Sequence, residues 1–315
     1  MMKNILITAG GSAAAFFFAK QIRKFSHDGC VIHIADINPR ELVAASTYAD
    51  HFHQVPKICD VNYRSSILDI VKKYQVELMV PLIDQDLIEF PGADSDLMGL
   101  GCISTAPTRE VSEQMTDKVN CSVVAEKMGI PVPEIYGVND IEDSVMYFCK
   151  PRVGFGSRGV MCVRGDEIRS KGLFDKLVVQ ELCEMPEITM EVFSHAGVVR
   201  TLCRERVEVK AGVCTKARIF QDEELHRYAE LIVGRLELPV ATCIQFMKHP
   251  MKGWVLTDAN MRIGAGSALC AAVGWDLAGA ALAAWSGNSD LALESLQFEG
   301  SERYVVRVFE EIVTK

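Results

Sequence analysis

Gln245, Asp258 and Asn260 are three oxygen donors that one short hairpin would bring to a common face. The apolar runs Ile244-Gln245-Phe246 and Leu256-Thr257-Asp258-Ala259-Asn260 flank a turn at His249–Trp254. With that turn centred between Met251 and Lys252, Gln245 falls opposite Asp258 and Cys243 opposite Asn260. Strand alternation then sets Gln245, Asp258 and Asn260 on the same side. Such a set suits Mg²⁺, which takes a few protein oxygens and leaves the rest of its shell to phosphate and water. Arg262 falls on this side too, placed for a phosphoryl group in transfer. The plain alternative is a solvated polar face. It would leave unexplained the apolar pair Met247 and Leu256, which the same register sets opposite each other.

A second group lies in Cys149-Lys150-Pro-Arg-Val-Gly-Phe-Gly-Ser-Arg-Gly-Val160. Lys150 ends an apolar strand, and Gly154, Gly156, Ser157, Arg158 and Gly159 form a turn whose tip can fold over a polyphosphate. Small residues let backbone N–H groups and cations come close to phosphate oxygens. This is not a P-loop, because G-x-x-x-x-G-K-[ST] is absent and no helix follows. Further on, Val178-Val179-Gln180-Glu181-Leu182 leads to Glu187. A strand ending in acidic residues can offer backbone groups to a purine edge and a carboxylate to a ribose, although surface glutamates at strand ends are ordinary. Arg204, Arg206, Lys210 and Lys216 follow on one strand–loop–strand. They read either as a solvated basic face or, for Arg206, as a planar fork gripping a substrate carboxylate.

The elements that must position these residues divide into two halves. A chain of 315 residues is long enough for two domains with cores of their own. Strands are expected at Asn4–Thr8, Val31–Asp36, Glu77–Pro81 and Gly101–Ser104, with helices at Ser12–Phe25 and Asn62–Tyr74. That rhythm implies an open parallel α/β sheet over residues 1–110. Residues 111–315 begin with a helix over Glu110–Met128 stopped by Gly129, then an extended Ile130–Glu134 enforced by its prolines. Strands at Met146–Pro151, Val160–Val163, Leu177–Glu181, Ile188–Ser194 and Val198–Val207 make this half α+β.

Several classes are disfavoured. The formal charge of −9 argues against nucleic acid or an anionic membrane as partner. The Ala13–Ala19 apolar run is too short to cross a bilayer, and the N-terminus enters a strand at once, so a cytoplasmic protein without a leader is expected. Eleven cysteines without a C-x-x-C pair read as reduced thiols. His51 and His53 lack a third ligand nearby, which counts against a metal there. Gly10, Ser12 and Ala15 break the G-x-G-x-x-G frame that Asp36 would complete, so a tight βα turn is preferred to a nicotinamide or flavin site.

In this order, Lys118, Lys150 with its glycine turn, Gln180-Glu181 with Glu187, and Gln245…Asp258-x-Asn260-x-Arg262 resemble the ATP-grasp superfamily. The likeness is nearest to single-module relatives of the carbamoyl-phosphate synthase large chain, and it spans nearly the whole sequence. It implies an N-terminal pre-ATP-grasp domain and an ATP-grasp domain whose two subdomains clamp the nucleotide, the lid lying roughly at 130–182. By resemblance, Lys118 and Lys150 would hold ATP phosphates under Gly154–Gly159, Glu181 and Leu182 would meet adenine, Glu187 the ribose, and Gln180 would belong to the same nucleotide site. Gln245, Asp258 and Asn260 would hold Mg²⁺, or Mn²⁺ in its place, while Arg262, Arg206 and Lys216 would serve the reacting groups. Asp258 stands where the family usually has glutamate, and Met261 where proline is common. The implied activity joins a small carboxylate to an amine through an acyl phosphate, with a homodimer as an allowed assembly. The competing readings are a nucleotide-binding regulator without turnover and a nicotinamide-dependent oxidoreductase.

Overall fold

The structure, a computed structural model, describes residues 3–25, 29–154 and 159–314. The first part contains β1 (Asn4–Ile7), α1 (Ala13–Phe25), β2 (Val31–Asp36), β3 (His51–Gln54), α2 (Tyr63–Tyr74) and β4 (Leu78–Val80). It continues through α3 (Asp84–Glu89), α4 (Ser95–Gly99) and β5 (Ile103–Ser104). The strands form one five-stranded sheet in the order β3-β2-β1-β4-β5, parallel throughout. The expected open α/β half is therefore present, with β3 added to it. That strand was not foreseen, since His51-Phe-His-Gln is polar and sits at the sheet edge, where no inward alternation is required.

The turn after β1 is built for packing. A Cβ on Gly10 would lie 2.3 Å from Ile34 Cγ2, so glycine is what lets α1 approach the sheet. Asp36, which imitated a ribose-binding carboxylate, accepts from the Gly11 N–H at 2.7 Å and the Asn38 N–H at 2.8 Å. Its oxygens brace the turn. At the same end of the sheet, Asp86 is fully buried and accepts from Thr8 Oγ1 at 2.6 Å and Tyr63 OH at 2.7 Å. Burial pushes its carboxyl up to about 6, and the two hydroxyls fix α3 against β1 and α2.

The expected single helix over 110–128 is two helices, α5 (Arg109–Thr116) and α6 (Lys118–Lys127). Asp117 separates them with extended backbone, its side chain accepting from the Val119 and Asn120 N–H groups at 3.0 Å each. An aspartate that caps a new helix stabilises the break more than continuation would. Next come β6 (Met146–Pro151), β7 (Met161–Arg164), α7 (Gly165–Ser170) and β8 (Leu177–Gln180), whose strands pair as β7-β6-β8.

The larger sheet is assembled from β9 (Glu184–His195), β10 (Val198–Lys210), β11 (Val213–Phe220), β12 (Ala241–His249), β13 (Gly253–Asn260) and β14 (Glu302–Val306). Its order is β13-β12-β9-β10-β11-β14, with every pairing antiparallel. The helix α8 (Glu223–Val233) covers one face, where Ile188, Met190 and Val192 meet Leu225, Ala229 and Ile232. Beyond β13 lie α9 (Ser267–Ala271), α10 (Leu277–Trp285) and α11 (Ser289–Glu294). The alanine-rich α10 packs with α1, and Phe193, Leu202 and Ala241 of the large sheet share one core with Ile5, Phe18 and Ile32. Among the described residues no helix is long and apolar enough to cross a membrane, and all eleven cysteines are free.

His33, His51 and His53 stack on one another and on Tyr74, with His33 Nδ1 at 3.1 Å from His53 Nε2. His33, 18 residues before His51, is thus the third imidazole beside His51 and His53 that their local sequence does not show. Burial and the neighbouring imidazoles push His33 and His53 down to about 4. Their unfolded values lie near ~6.5, so the unfolded chain binds protons that the native one refuses. Stability present above ~6.5 is therefore lost as pH falls toward about 4. His33→Phe keeps a ring on Tyr74 and removes one of these groups. Its thermal midpoint should fall less steeply than the parent's between pH 6.5 and 4, and parallel curves would show that the cluster is not the source.

Candidate functional site

A cleft of about 560 Å³ opens between the three-stranded sheet and the six-stranded one. Lys118, Lys150, Gln180, Glu187, Gln245 and Asp258 all line it, although they come from six different segments. Phe148, Leu182, Met185 and Met247 supply apolar wall.

Lys118 owes its place to the break at Asp117, which turns it out of the helix line. Its Nζ donates to the Gly154 carbonyl at 3.1 Å and stands 3.7 Å from Asp258 Oδ1. Lys150, only 8% exposed, donates to the Thr257 carbonyl on β13 at 2.8 Å and so spans the cleft. Burial holds its amine below the usual lysine range, Lys118 adds to that, and Asp258 opposes it. Gly154 lies in the wall and Gly159 has a left-handed φ of 74°. Gly156, Ser157 and Arg158, the remainder of the glycine turn, lie outside the described residues.

The hairpin β12–β13 has the expected register: Gln245 faces Asp258 and Cys243 faces Asn260. A bulge between Gln245 and Phe246 then shifts the rest, so Met247 pairs with Val255 and Phe246 with Leu256. The expected Met247–Leu256 pair is therefore absent. The bulge keeps Met247 in the cleft wall while Leu256 enters the core beneath α8. One carboxylate and a neighbouring amide oxygen on the same wall fit a Mg²⁺ that shares its shell with phosphate. Asn260 stands at the margin, its Oδ1 accepting from Arg262 Nη2 at 3.2 Å. Arg262 Nε donates to Asp84 Oδ1 at 2.8 Å, so the arginine reaches α3 of the N-terminal half.

Some expected site residues are otherwise engaged. Glu181 accepts from the Glu134 N–H at 2.7 Å and Lys252 Nζ at 2.6 Å, and contacts His249 Nε2 at 3.1 Å. Burial pushes its carboxyl up, but Lys252, the Glu134 N–H and His249 together outweigh burial and hold it below the usual range. Its side chain ties the β12–β13 turn to the end of β8, while Leu182, Cys183 and Met185 carry the wall onward. Arg206 was expected to grip a substrate carboxylate. It is instead bonded through Nη1 to Glu187 and through Nη2 to the Gly212 carbonyl at 3.1 Å. Lys216 is half exposed, 3.1 Å from Glu208, and is not among the lining residues. The solvated reading of the basic segment also fails at Arg204, which is 4% exposed. Its guanidinium lies so near Gly266 that a Cβ there would come within 2.1 Å of Nη2. Glu191 beside it is fully buried, and burial pushes its carboxyl up.

Sequence reasoning missed Asp84, the Thr257 carbonyl, Cys183 and Met185. Asp84 lies 178 residues before its partner, a separation that no local pattern encodes. Cys183, in the link after β8, and Met185, at the start of β9, carried a signal only in lying between the expected site residues Leu182 and Glu187.

The family described as PylC-like, N-terminal domain, matches residues 5–104. No curated protein matches the chain by sequence. Among solved structures, Rhizobium etli pyruvate carboxylase matches with a TM-score of 0.73 at 15% identity. The match covers 95% of this chain, which spans only 30% of the carboxylase chain. The biotin carboxylase domain of Hydrogenobacter thermophilus 2-oxoglutarate carboxylase, in complex with MgADP, ADP and bicarbonate, gives 0.73 at 17% identity, covering 96% of this chain and 73% of that one. L-amino acid ligase from Bacillus licheniformis gives 0.69 at 12%, covering 92% and 76%. At such identities the likeness is one of fold. With a parallel sheet leading into an antiparallel one and a cleft between the latter and a three-stranded sheet, the chain has the ATP-grasp fold, and its residues 5–104 are similar to the PylC-like N-terminal domain.

Proposed function

We propose that the protein is a Mg²⁺- and ATP-dependent ligase that joins a small carboxylate to an amine. The observation that carries this reading is the convergence of Lys118, Lys150, Glu187, Gln245 and Asp258 on one cleft between two sheets. The names of similar structures, which include a MgADP and bicarbonate complex and an amino acid ligase, support the same class.

On this reading Lys118 and Lys150 hold the phosphate chain, and the apolar wall at Phe148, Leu182 and Met247 encloses the base. Glu187, fixed by Arg206, faces the ribose. Gln245, Asp258 and Asn260 would hold Mg²⁺, which neutralises charge on the phosphates when bound. A carboxylate oxygen of the substrate attacks the γ-phosphorus, a new O–P bond forms, and the bond to the β-phosphate oxygen breaks to release ADP. The amine then attacks the acyl carbon, phosphate leaves with the bonding pair, and the nitrogen gives up a proton. Positioning and charge neutralisation suffice for both steps, without a covalent protein nucleophile. Arg262 faces the phosphoryl group.

Two substitutions test the assignment. Lys150→Ala should keep its thermal midpoint within a few degrees while ATP affinity falls by roughly 10²-fold, the scale of losing a buried charge-assisted contact. Calorimetry that finds parental affinity rejects Lys150 as a phosphate ligand. Asp258→Asn removes the anionic donor of the expected trio and should lower ADP release by at least ~10²-fold at every magnesium concentration. Asp258→Glu restores the reach usual in the family and should recover activity. The measurement is ADP release screened over carboxylate–amine pairs, followed by mass spectrometry of the product. Tight ATP binding with no turnover on any pair would favour the regulatory reading instead.

A further inference from the structure

Asp84 opens α3 beside the N-terminal sheet, far from the cleft wall in sequence, yet it makes one of the better-formed polar contacts to the expected site. Its Oδ1 accepts from Arg262 Nε at 2.8 Å, with both side chains largely buried, 11% and 14% exposed. Asn260 Oδ1 takes Nη2 of the same guanidinium at 3.2 Å. Nε and Nη2 form one edge of the planar fork, so both acceptors sit on that edge. Among the described residues nothing bonds Nη1, and the end of the fork remains for bidentate pairing with an anion.

We propose that Asp84 is a positioning residue, supplied by the N-terminal domain, that orients Arg262 toward the γ-phosphate; this rests on the functional reading above. Three observations give it rigidity. Asp84 opens α3, whose Asp86 is fully buried and bonded to Thr8 on β1 and Tyr63 on α2. The N-terminal sheet and the large sheet share a core that includes Ile263, next to Arg262, and Leu82, two residues before Asp84. The loop after Arg262 is itself held, because Arg307 Nη2 donates to the Ala265 carbonyl at 2.8 Å. A guanidinium on a flexible side chain would otherwise sample many rotamers, and a fixed carboxylate behind it removes most of them.

The consequence is measurable without knowing the substrates. An arginine aimed at the γ-phosphate favours ATP over ADP, so the ratio of the two affinities reports its orientation. Calorimetry with Mg²⁺ and either ADP or the β,γ-imido analogue of ATP should show the ratio falling roughly tenfold in Asp84→Ala, with ADP affinity unchanged. Asp84→Asn keeps an acceptor oxygen and should lie between parent and alanine variant, and Arg262→Gln should lower the ratio at least as far. In the Arg262→Gln background Asp84→Ala should change nothing further. A merely structural aspartate would alter the thermal midpoint or both affinities together, not their ratio. A parental ratio in Asp84→Ala, or an equal drop with and without Arg262, overturns the assignment to Asp84. If Asp84→Ala does not fold, a parental ratio in Asp84→Asn overturns it. An unchanged ratio in Arg262→Gln alone removes Arg262 from the γ-phosphate and overturns both this inference and the phosphoryl-transfer reading of that arginine.

Discussion

Two ammonium groups crowd a single carboxylate at the floor of the cleft. Lys118 stands 3.7 Å from Asp258, and Lys150 is buried against the adjoining Thr257 carbonyl. Burying an ammonium is costly unless it is paired, and one aspartate cannot balance two. The local excess of positive charge occurs in a chain whose formal net charge is −9. It is therefore a concentrated demand for an anion rather than part of a general basic surface. A polyphosphate meets that demand, and a divalent cation arriving with it would take over Asp258 as the lysines turn to phosphate. The proposed chemistry follows from this imbalance more than from any single residue.

The two sheets exist to hold that imbalance in place. Lys150 comes from the small sheet and its acceptor from the large one, so the cleft is bridged by a charged hydrogen bond. Glu181 adds a second bridge to His249 and Lys252 at the hairpin turn. These contacts set the distance between lid and floor at one end. The apolar core that joins β9, β10 and α10 to the N-terminal sheet sets the other end. Between them the metal-type residues sit on a bulged hairpin, where the bulge decides which side chains face the cleft.

Local periodicity made part of this legible. The register of Gln245 with Asp258 is the one expected from alternation about a turn between Met251 and Lys252, but the hairpin turns about Met251 and the bulge after Gln245 restores that pairing. The bulge does not follow, since an extra residue in one strand leaves no mark on composition. The break at Asp117 was hidden by a helical pattern continuous on both sides, although an aspartate before a new first turn is itself a capping signal. β3 escaped because edge strands need no apolar face. Arg204 is not solvated as a lone charge usually is, because it packs against Gly266 and is buried, as is Glu191 beside it, for which the sequence gives no local sign. The contact between Asp84 and Arg262 belongs to tertiary structure alone.

The strand β14 pairs with β11 and is followed by Arg307, whose backbone N–H donates to the Thr215 carbonyl at 2.8 Å. Of the strands described, it leaves the ribosome last. The N-terminal sheet and the hairpin with Gln245 and Asp258 can form while the chain is still growing, as domains made first tend to fold first. The loop behind Arg262 cannot be pinned until Arg307 has emerged to bond Ala265. The backing of the loop behind Arg262 therefore rests on a residue made after every described residue that lines the cleft. Because β14 belongs to the same sheet as Gln245 and Asp258, the site and its backing are completed as parts of one folding unit.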